Sequence, residues 1–318
     1  VLALASGLLA VTAIIAAAIF GFRVVPGPTP ASGPAGKSAG GSAAGRRSTA
    51  YSVPIASASP SATASPSATA SPEPAAHRNP FGTAATSYLA ARTGTVLAAV
   101  YDVKTGQTWR LGQGRPQAEA SVVKLDVLET LLAERGGKLS AGEESLAQQM
   151  IEDSDNDAAT SLWYEVGGAT RIRSFNTKAG LTQTTPSRCV VCAGFPWPGW
   201  GLSTTTPADQ IALLRKLITP SSLLTGAERD YALSLLENVT PSQRWGVSGG
   251  VPARVTVALK NGWLPLQGSG DWQINSVGWI SGGGRSYLMA ALSTGNPSEQ
   301  YGIDTIDRLA AMIWQGMA

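Results

Sequence analysis

Histidine is almost missing from this chain: 318 residues contain one, His77, which sits in a Pro/Ala/Ser-rich stretch. Cysteine is nearly as scarce, with only Cys189 and Cys192. These shortages exclude a Ser-His-Asp triad and a Cys-His pair, each of which needs a packed imidazole, and structural zinc, which needs four nitrogen or sulfur ligands. No metal and no cofactor are expected, and any hydrolytic proton acceptor must come from Lys, Asp, Glu or Tyr. Net charge is small as well, at +3. No cluster of cations is interleaved with aromatics along a candidate helix, so nucleic acid is not expected as a partner.

Charge is absent altogether from Val1 to Phe20, a Leu/Ile/Val/Ala-rich run long enough to cross a bilayer as a helix. Residues 1–22 are therefore expected to be a membrane anchor, with a cleaved signal segment as the open alternative. Either places the rest of the chain outside the cytoplasm, tethered or secreted. The cations Arg23, Lys37, Arg46 and Arg47 all follow the apolar run, and a positive-inside count on them points the other way. Residues 23–80 are Pro, Ala, Ser, Gly and Thr, with Ser-Ala-Thr-Ala-Ser-Pro at Ser61 to Pro66 repeated at Ser67 to Pro72. Such a stretch cannot bury enough apolar surface to fold and reads as a disordered tether with an r.m.s. span of about 40 Å. Residues 81–318 remain as one globular domain, expected to be monomeric.

Within it, a short helix is expected around Ala84 to Ala91, then strands at Val96 to Tyr101 and Thr108 to Leu111 with a turn between them. Val123, Leu125, Leu128, Leu131 and Leu132 form a helical stripe that stops at Gly136-Gly137. Ser140 with Glu143 is a capping box for a helix through Met150, and Thr206-Pro207 opens another over Ala208 to Ile218. A helix at Ala227 to Asn238, strands at Arg254 to Lys260, Asn275 to Ile280 and Ser286 to Ser293, and a helix at Ile303 to Trp314 complete the pattern. Strands at both ends with helices between imply an α+β fold: an antiparallel sheet built from the two termini beside a helical subdomain.

Three short motifs carry the chemistry. Ser121-Val-Val-Lys124 puts a hydroxyl and an amine one helical turn apart at a helix start, where free backbone N–H groups also gather. A desolvated lysine, or one near a second cation, loses basicity and can take the proton of a serine. Alone the spacing is weak, because an ordinary surface lysine satisfies it. Ser154-Asp155-Asn156 lies between two helices, where the same residues serve equally well as an N-cap; as chemistry, Ser154 could relay a proton and Asn156 could hold both Lys124 and a substrate amide. Lys260-Asn261-Gly262 closes a strand, and a lysine followed by glycine marks a place where a ligand can approach the backbone.

In this order the three motifs resemble the Ser-x-x-Lys, Ser-Asp-Asn and Lys-Thr-Gly signature of class A β-lactamases and penicillin-binding proteins. Thr204-Thr-Thr-Pro-Ala-Asp-Gln-Ile-Ala-Leu-Leu214 is similar to the segment after the omega loop of class A enzymes, and Ile151 to Thr160 to their Ser-Asp-Asn region. The resemblance covers Thr83 to Ile313 and implies a β-lactamase/transpeptidase-like fold with a five-stranded sheet. It further implies Ser121 as acylated nucleophile, Lys124 as its activator and Ser154 as proton relay. Asn156, Lys260, Asn261, Gly262 and Trp263 would bind a β-lactam or peptidoglycan-peptide substrate, with the N–H groups of Ser121 and Trp263 as oxyanion hole and Arg244 assisting at the substrate carboxylate.

The chain departs from the family in three places. Between Leu181 and Thr206 there is no Asp, Glu or His, so the omega-loop glutamate that activates the deacylating water is absent. That segment carries instead Cys189-Val-Val-Cys192, read as a loop-fixing disulfide rather than a redox pair, and Phe195-Pro-Trp-Pro-Gly-Trp200, a lid or a packed surface. Asn261 replaces the usual Thr or Ser. The short interval from Lys124 to Ser154 further implies a trimmed wall and a more open cleft. The expectation is a serine hydrolase that acylates and deacylates slowly. The alternatives are a D-Ala-D-Ala carboxypeptidase or transpeptidase, and a non-catalytic wall-binding domain.

Overall fold

A computed structural model describes residues 78–318; the expected anchor and nearly all of the expected tether lie outside the described residues. Among the described residues no helix is long and apolar enough to cross a membrane.

β1 (Thr95–Asp102) and β7 (Arg285–Asn296), from opposite ends of the domain, pair antiparallel from Thr95 opposite Thr294 to Asp102 opposite Tyr287. β2 (Thr108–Leu111) lies outside β1, while β6 (Trp272–Gly282) and β5 (Thr256–Pro265) follow β7. The result is a five-stranded antiparallel sheet in the order β2-β1-β7-β6-β5. A two-residue pair, β3 (Gln117–Ala118) with β4 (Thr204–Thr205), ties the segment before Ser121 to the end of the omega-like segment.

Both faces of the sheet are covered, and strand alternation sorts the side chains between two cores. Ala98, Val100, Val257, Leu259, Met289 and Ala291 face α1 (Thr83–Ala90) and α8 (Glu299–Gly316). Ala99, Tyr101, Ala258, Val277, Leu288 and Ala290 face the helical side. That side consists of α2 (Val123–Arg135), α3 (Ala141–Glu152), α4 (Asn156–Glu165), α5 (Gly168–Ala179), α6 (Pro207–Ile218) and α7 (Gly226–Glu237). Caps fall where the residue types require them: Ser140 and Thr225 close capping boxes with Glu143 and Glu228, and α2 stops at left-handed Gly136.

α2 is buried continuously from Val123 to Leu132, as a helix at the centre of a domain must be. Its buried face is not wholly apolar. Asp126 and Glu129 lie in it, and Glu119 lies just before it, all three fully buried. Burial pushes each carboxyl upward, that of Asp126 to about 7, and Asp126 adds a repulsion to the other two. Asn176 of α5 donates to Asp126 at 2.8 Å and pulls the other way. A carboxyl raised on folding binds more protons folded than unfolded, so its stabilisation is complete below about pH 4 and is lost as pH rises through about 7. Asp126→Asn keeps an acceptor for Asn176 and removes the titration. Thermal melts should show the wild type losing stability relative to this variant between about pH 5 and pH 7.5, by a few kcal/mol; parallel curves would mean that Asp126 does not titrate there.

Candidate active site

Ser121 sits in a single 3-10 turn, Ala120–Val122, that runs directly into α2, so Lys124 falls in the first turn of the α-helix. The turn is held under strain. Ala120 and Ser154 are the non-glycine residues with positive φ among the described residues, at 50° and 56°. Such conformations persist only where the surroundings over-determine them. Here Glu119 N–H donates to Ser203 O at 2.7 Å, and the buried Asn275 amide on β6 donates to both Ala118 O and Glu119 O, at 2.8 and 2.9 Å. Gln273 steadies Asn275 in turn, donating to its Oδ1 and to Gln117. The sheet thus grips the backbone just ahead of the nucleophile candidate.

Gly262 explains itself by the same contact. A Cβ placed there would lie 2.7 Å from Ser121 N and 2.8 Å from Val122 N, all backbone, so only glycine lets β5 come this close. Lys260-Asn261-Gly262 therefore lies in the middle of β5, not at its end as expected, because what approaches the glycine is the chain's own backbone at Ser121 and the strand runs on past it. Strand parity does the rest. Lys260 and Gly262 share the face of Ala258, toward α2. Asn261 lies on the opposite face, and its amide donates to Gln243 O and Trp245 O at 2.7 and 3.1 Å. It anchors the loop before β5, which corrects the expectation that it contacts substrate.

The two lysines meet at one hydroxyl. Lys124 Nζ donates to Ser154 O (2.5 Å) and Asn156 Oδ1 (2.9 Å) and lies 3.1 Å from Ser154 Oγ; Lys260 Nζ lies 2.9 Å from that same oxygen and donates to Asn261 O at 3.0 Å. Both side chains are fully buried. Desolvation lowers Lys124 well below the usual lysine range; Lys260 lowers it further and Asp155 opposes. Lys260 itself drops to about 7, through burial. A hydroxyl that receives a hydrogen bond from one amine can donate only to an amine that has lost a proton. Ser154 between the two therefore suits a pair carrying one proton fewer than two ammonium ions. Ser121 borders the same space: a cavity of about 250 Å³ is lined by Ser121, Ser154, Asn156, Trp197, Trp263, Pro265, Trp272 and Glu299. Among the described residues the Ser121 hydroxyl has no hydrogen-bond partner, which leaves it free toward that space.

The omega-like segment forms the roof. Its ends meet at the Thr185–Thr204 bridge, Cys189 and Cys192 are joined by a disulfide, and Gly199 N–H donates to Val190 O at 2.7 Å. The aromatic run splits in two. Trp200 is buried, donates from Nε1 to Thr160 at 3.0 Å and lays its ring 5.0 Å from Lys124 Nζ, whereas Trp197 stays half exposed over the cavity. Gln267, on the β5–β6 turn, donates to Gly194 O and closes the roof from the other side. The expected openness is thus offset by indoles. Arg244, the expected helper at the substrate carboxylate, donates to Glu237 O and borders a separate surface pocket with Arg254, so it is not part of the site.

The description "Beta-lactamase enzyme family" matches residues 134–317. This chain belongs to the β-lactamase enzyme family. Solved β-lactamases with a similar fold include the TLA-1 extended-spectrum enzyme, with TM-score 0.64 and 17% identity over 74% of this chain and 96% of that one. A class A β-lactamase from Bacteroides cellulosilyticus has TM-score 0.66 and 16% identity over 76% and 99%. One from Mycobacterium abscessus has TM-score 0.60 and 21% identity over 73% and 97%. At such identities the likeness concerns the fold. LppW of Mycobacterium tuberculosis H37Rv, which bears a lipoprotein name, is 32% identical over 215 residues, and the chain spans 65% of the length of that curated relative. The match to this β-lactamase-family domain begins after Ser121 and Lys124, so it does not bear on those two residues.

Trp272, Asn275 and Glu299 carry no site expectation in the sequence. For Asn275 a signal existed: Asn-Ser inside an apolar strand is a buried polar pair in want of partners.

Proposed function

We propose that the domain is a serine hydrolase acting on a β-lactam or a related cyclic or peptidic amide through a Ser121 acyl-enzyme. The observation that carries this reading is the Ser154 hydroxyl shared by two buried amines beside the cavity that Ser121 borders. Neutral Lys124 takes the Ser121 proton as Oγ bonds to the carbonyl carbon, and the backbone N–H groups of Ser121 and Trp263 face the developing oxyanion. As the C–N bond breaks, Ser154 passes a proton to the leaving nitrogen and is reprotonated by Lys124. Lys260 supplies the charge for a substrate carboxylate, and Asn156 holds Lys124.

Deacylation is the slow step. No carboxylate or imidazole occurs in the roof segment, and an indole face, not a base, lies over Lys124. The same feature favours a second reading, a D-Ala-D-Ala carboxypeptidase or transpeptidase, whose acceptor enters from solution. In both readings the domain works outside the cytoplasm, held to the membrane by residues 1–22.

Mass spectrometry of the protein with benzylpenicillin tests the reading. One penicillin should add to the peptide containing Ser121 and persist for minutes or longer, while release of D-alanine from an acyl-D-Ala-D-Ala peptide would select the second reading. No adduct, or an adduct on another residue, overturns both.

A further inference from the structure

The cavity beside Ser121 has two chemically different ends. At one lie Ser154 and Asn156, which the buried amines of Lys124 and Lys260 hold. At the other lie the indoles of Trp263 and Trp272 with the carboxylate of Glu299, and Trp197 overhangs them. An acid in the first turn of α8 is ordinary, because the helix dipole favours it there. Glu299 differs from the other first-turn acids in what surrounds it. It is half-buried, it is the only acid bordering that cavity, and among the described residues it makes no hydrogen bond or ion pair. The other buried first-turn acids are engaged, Glu143 and Glu228 in capping boxes, Asp126 with Asn176 and Asp209 with Gln183 N–H and Thr184, while the unengaged Glu144 and Asp157 are exposed to solvent. A carboxylate left without a cation, on a cavity that Trp263 (edge-on to Trp245 at 5.9 Å) and Trp272 also line, is complementary to one kind of group. Indole faces attract ammonium through the ring quadrupole, and a carboxylate at the rim adds a charge-assisted hydrogen bond.

We propose that this end of the cavity is a subsite for a protonated primary amine, so that the preferred substrate is an amide that carries an ammonium group at one end and its carboxylate at the other. The proposal deepens the acyl-enzyme reading and rests on it for the orientation of substrate. The carboxylate lies toward Lys260 and Ser154, the scissile carbonyl at Ser121, and the ammonium among Trp263, Trp272 and Glu299. A glycan or an uncharged apolar group would also stack on the indoles but would gain nothing from Glu299, and this difference separates the cases.

The test is equilibrium binding, read by tryptophan fluorescence, of two peptides to the protein. Nα-acetyl-Lys-D-Ala-D-Ala has a free side-chain amine, and Nα,Nε-diacetyl-Lys-D-Ala-D-Ala does not. The free amine should bind about 5- to 30-fold tighter. The preference should shrink in high salt and collapse in Glu299→Gln, where the free amine no longer binds tighter than its acetylated form. Equal affinities, a preference that survives Glu299→Gln, or no binding of either peptide overturns the subsite. Because no covalent step is read, loss of penicillin labelling at Ser121 would count against the acyl-enzyme alone.

Discussion

Ser121→Ala should abolish covalent labelling by penicillin, and Lys124→Ala should slow it by at least about 10³-fold. The two losses are not independent. The hydroxyl is a poor nucleophile unless its proton has somewhere to go, and a neutral amine is inert here without a hydroxyl to activate. Combining the substitutions should therefore add almost nothing to the slower single variant, which is the mark of groups acting as one unit. Burst kinetics and intact-mass measurements on the three variants would read this directly. Stability is a separate matter, on which two effects oppose each other. Lys124 is fully buried and costs desolvation, so exchanging it for alanine removes that cost while leaving Ser154 O and Asn156 Oδ1 without their donor. A variant that folds with a similar melting temperature but no longer labels would place the loss in chemistry. Continued labelling of Ser121→Ala would mean that another residue is the nucleophile.

How much of this could be read from residues alone depended on whether the signal was local. The capping box at Ser140, the Gly136 stop and the Thr206-Pro207 start are short-range and appear where expected, and so does the sheet drawn from both termini. The expected strand stops at Lys260 with Gly262 left for a ligand's approach; β5 continues because Gly262 yields space to the Ser121 backbone, a demand set by a segment some 140 residues away. α5 carries no expectation from the sequence, although Ile172, Phe175 and Ala179 mark a buried face and Gly180 ends it; the polar and charged residues between them mask the period. In the site, the three motifs came in the right order, but order says nothing of parity. The one-residue step that sends Lys260 inward and Asn261 away emerges only once β5 is paired with β6. Trp200, Asn275 and Glu299 come from three distant elements, and no spacing rule links them to Ser121.

The pH dependence of acylation should have two limbs with distinct owners. On the acid side the rate rises with pH, because only the deprotonated Lys124 can accept the Ser121 proton; burial and Lys260 bring this limb far below the ordinary lysine range. On the alkaline side it falls near pH 7 and above, because Lys260, at about 7, loses the charge that holds the substrate carboxylate. The amines share a hydroxyl, so the apparent values belong to the pair. Penicillin methyl ester separates the limbs: it offers Lys260 no anion and should keep the rise while losing the fall. Lys124→Arg should lose the reaction at every pH, since a guanidinium stays charged. Folding is linked to the same amines with a definite sign. A lysine whose folded value is depressed binds fewer protons folded than unfolded, so the contribution of Lys260 to stability rises from about pH 7 toward about pH 10.4. Activity and the Lys260 contribution to stability should consequently diverge above neutrality, one falling while the other climbs. Acylation rates that do not change between about pH 5 and pH 9, or that follow a single ordinary carboxylate near pH 4.3, would remove Lys124 as the base and leave the buried amine pair without a chemical role.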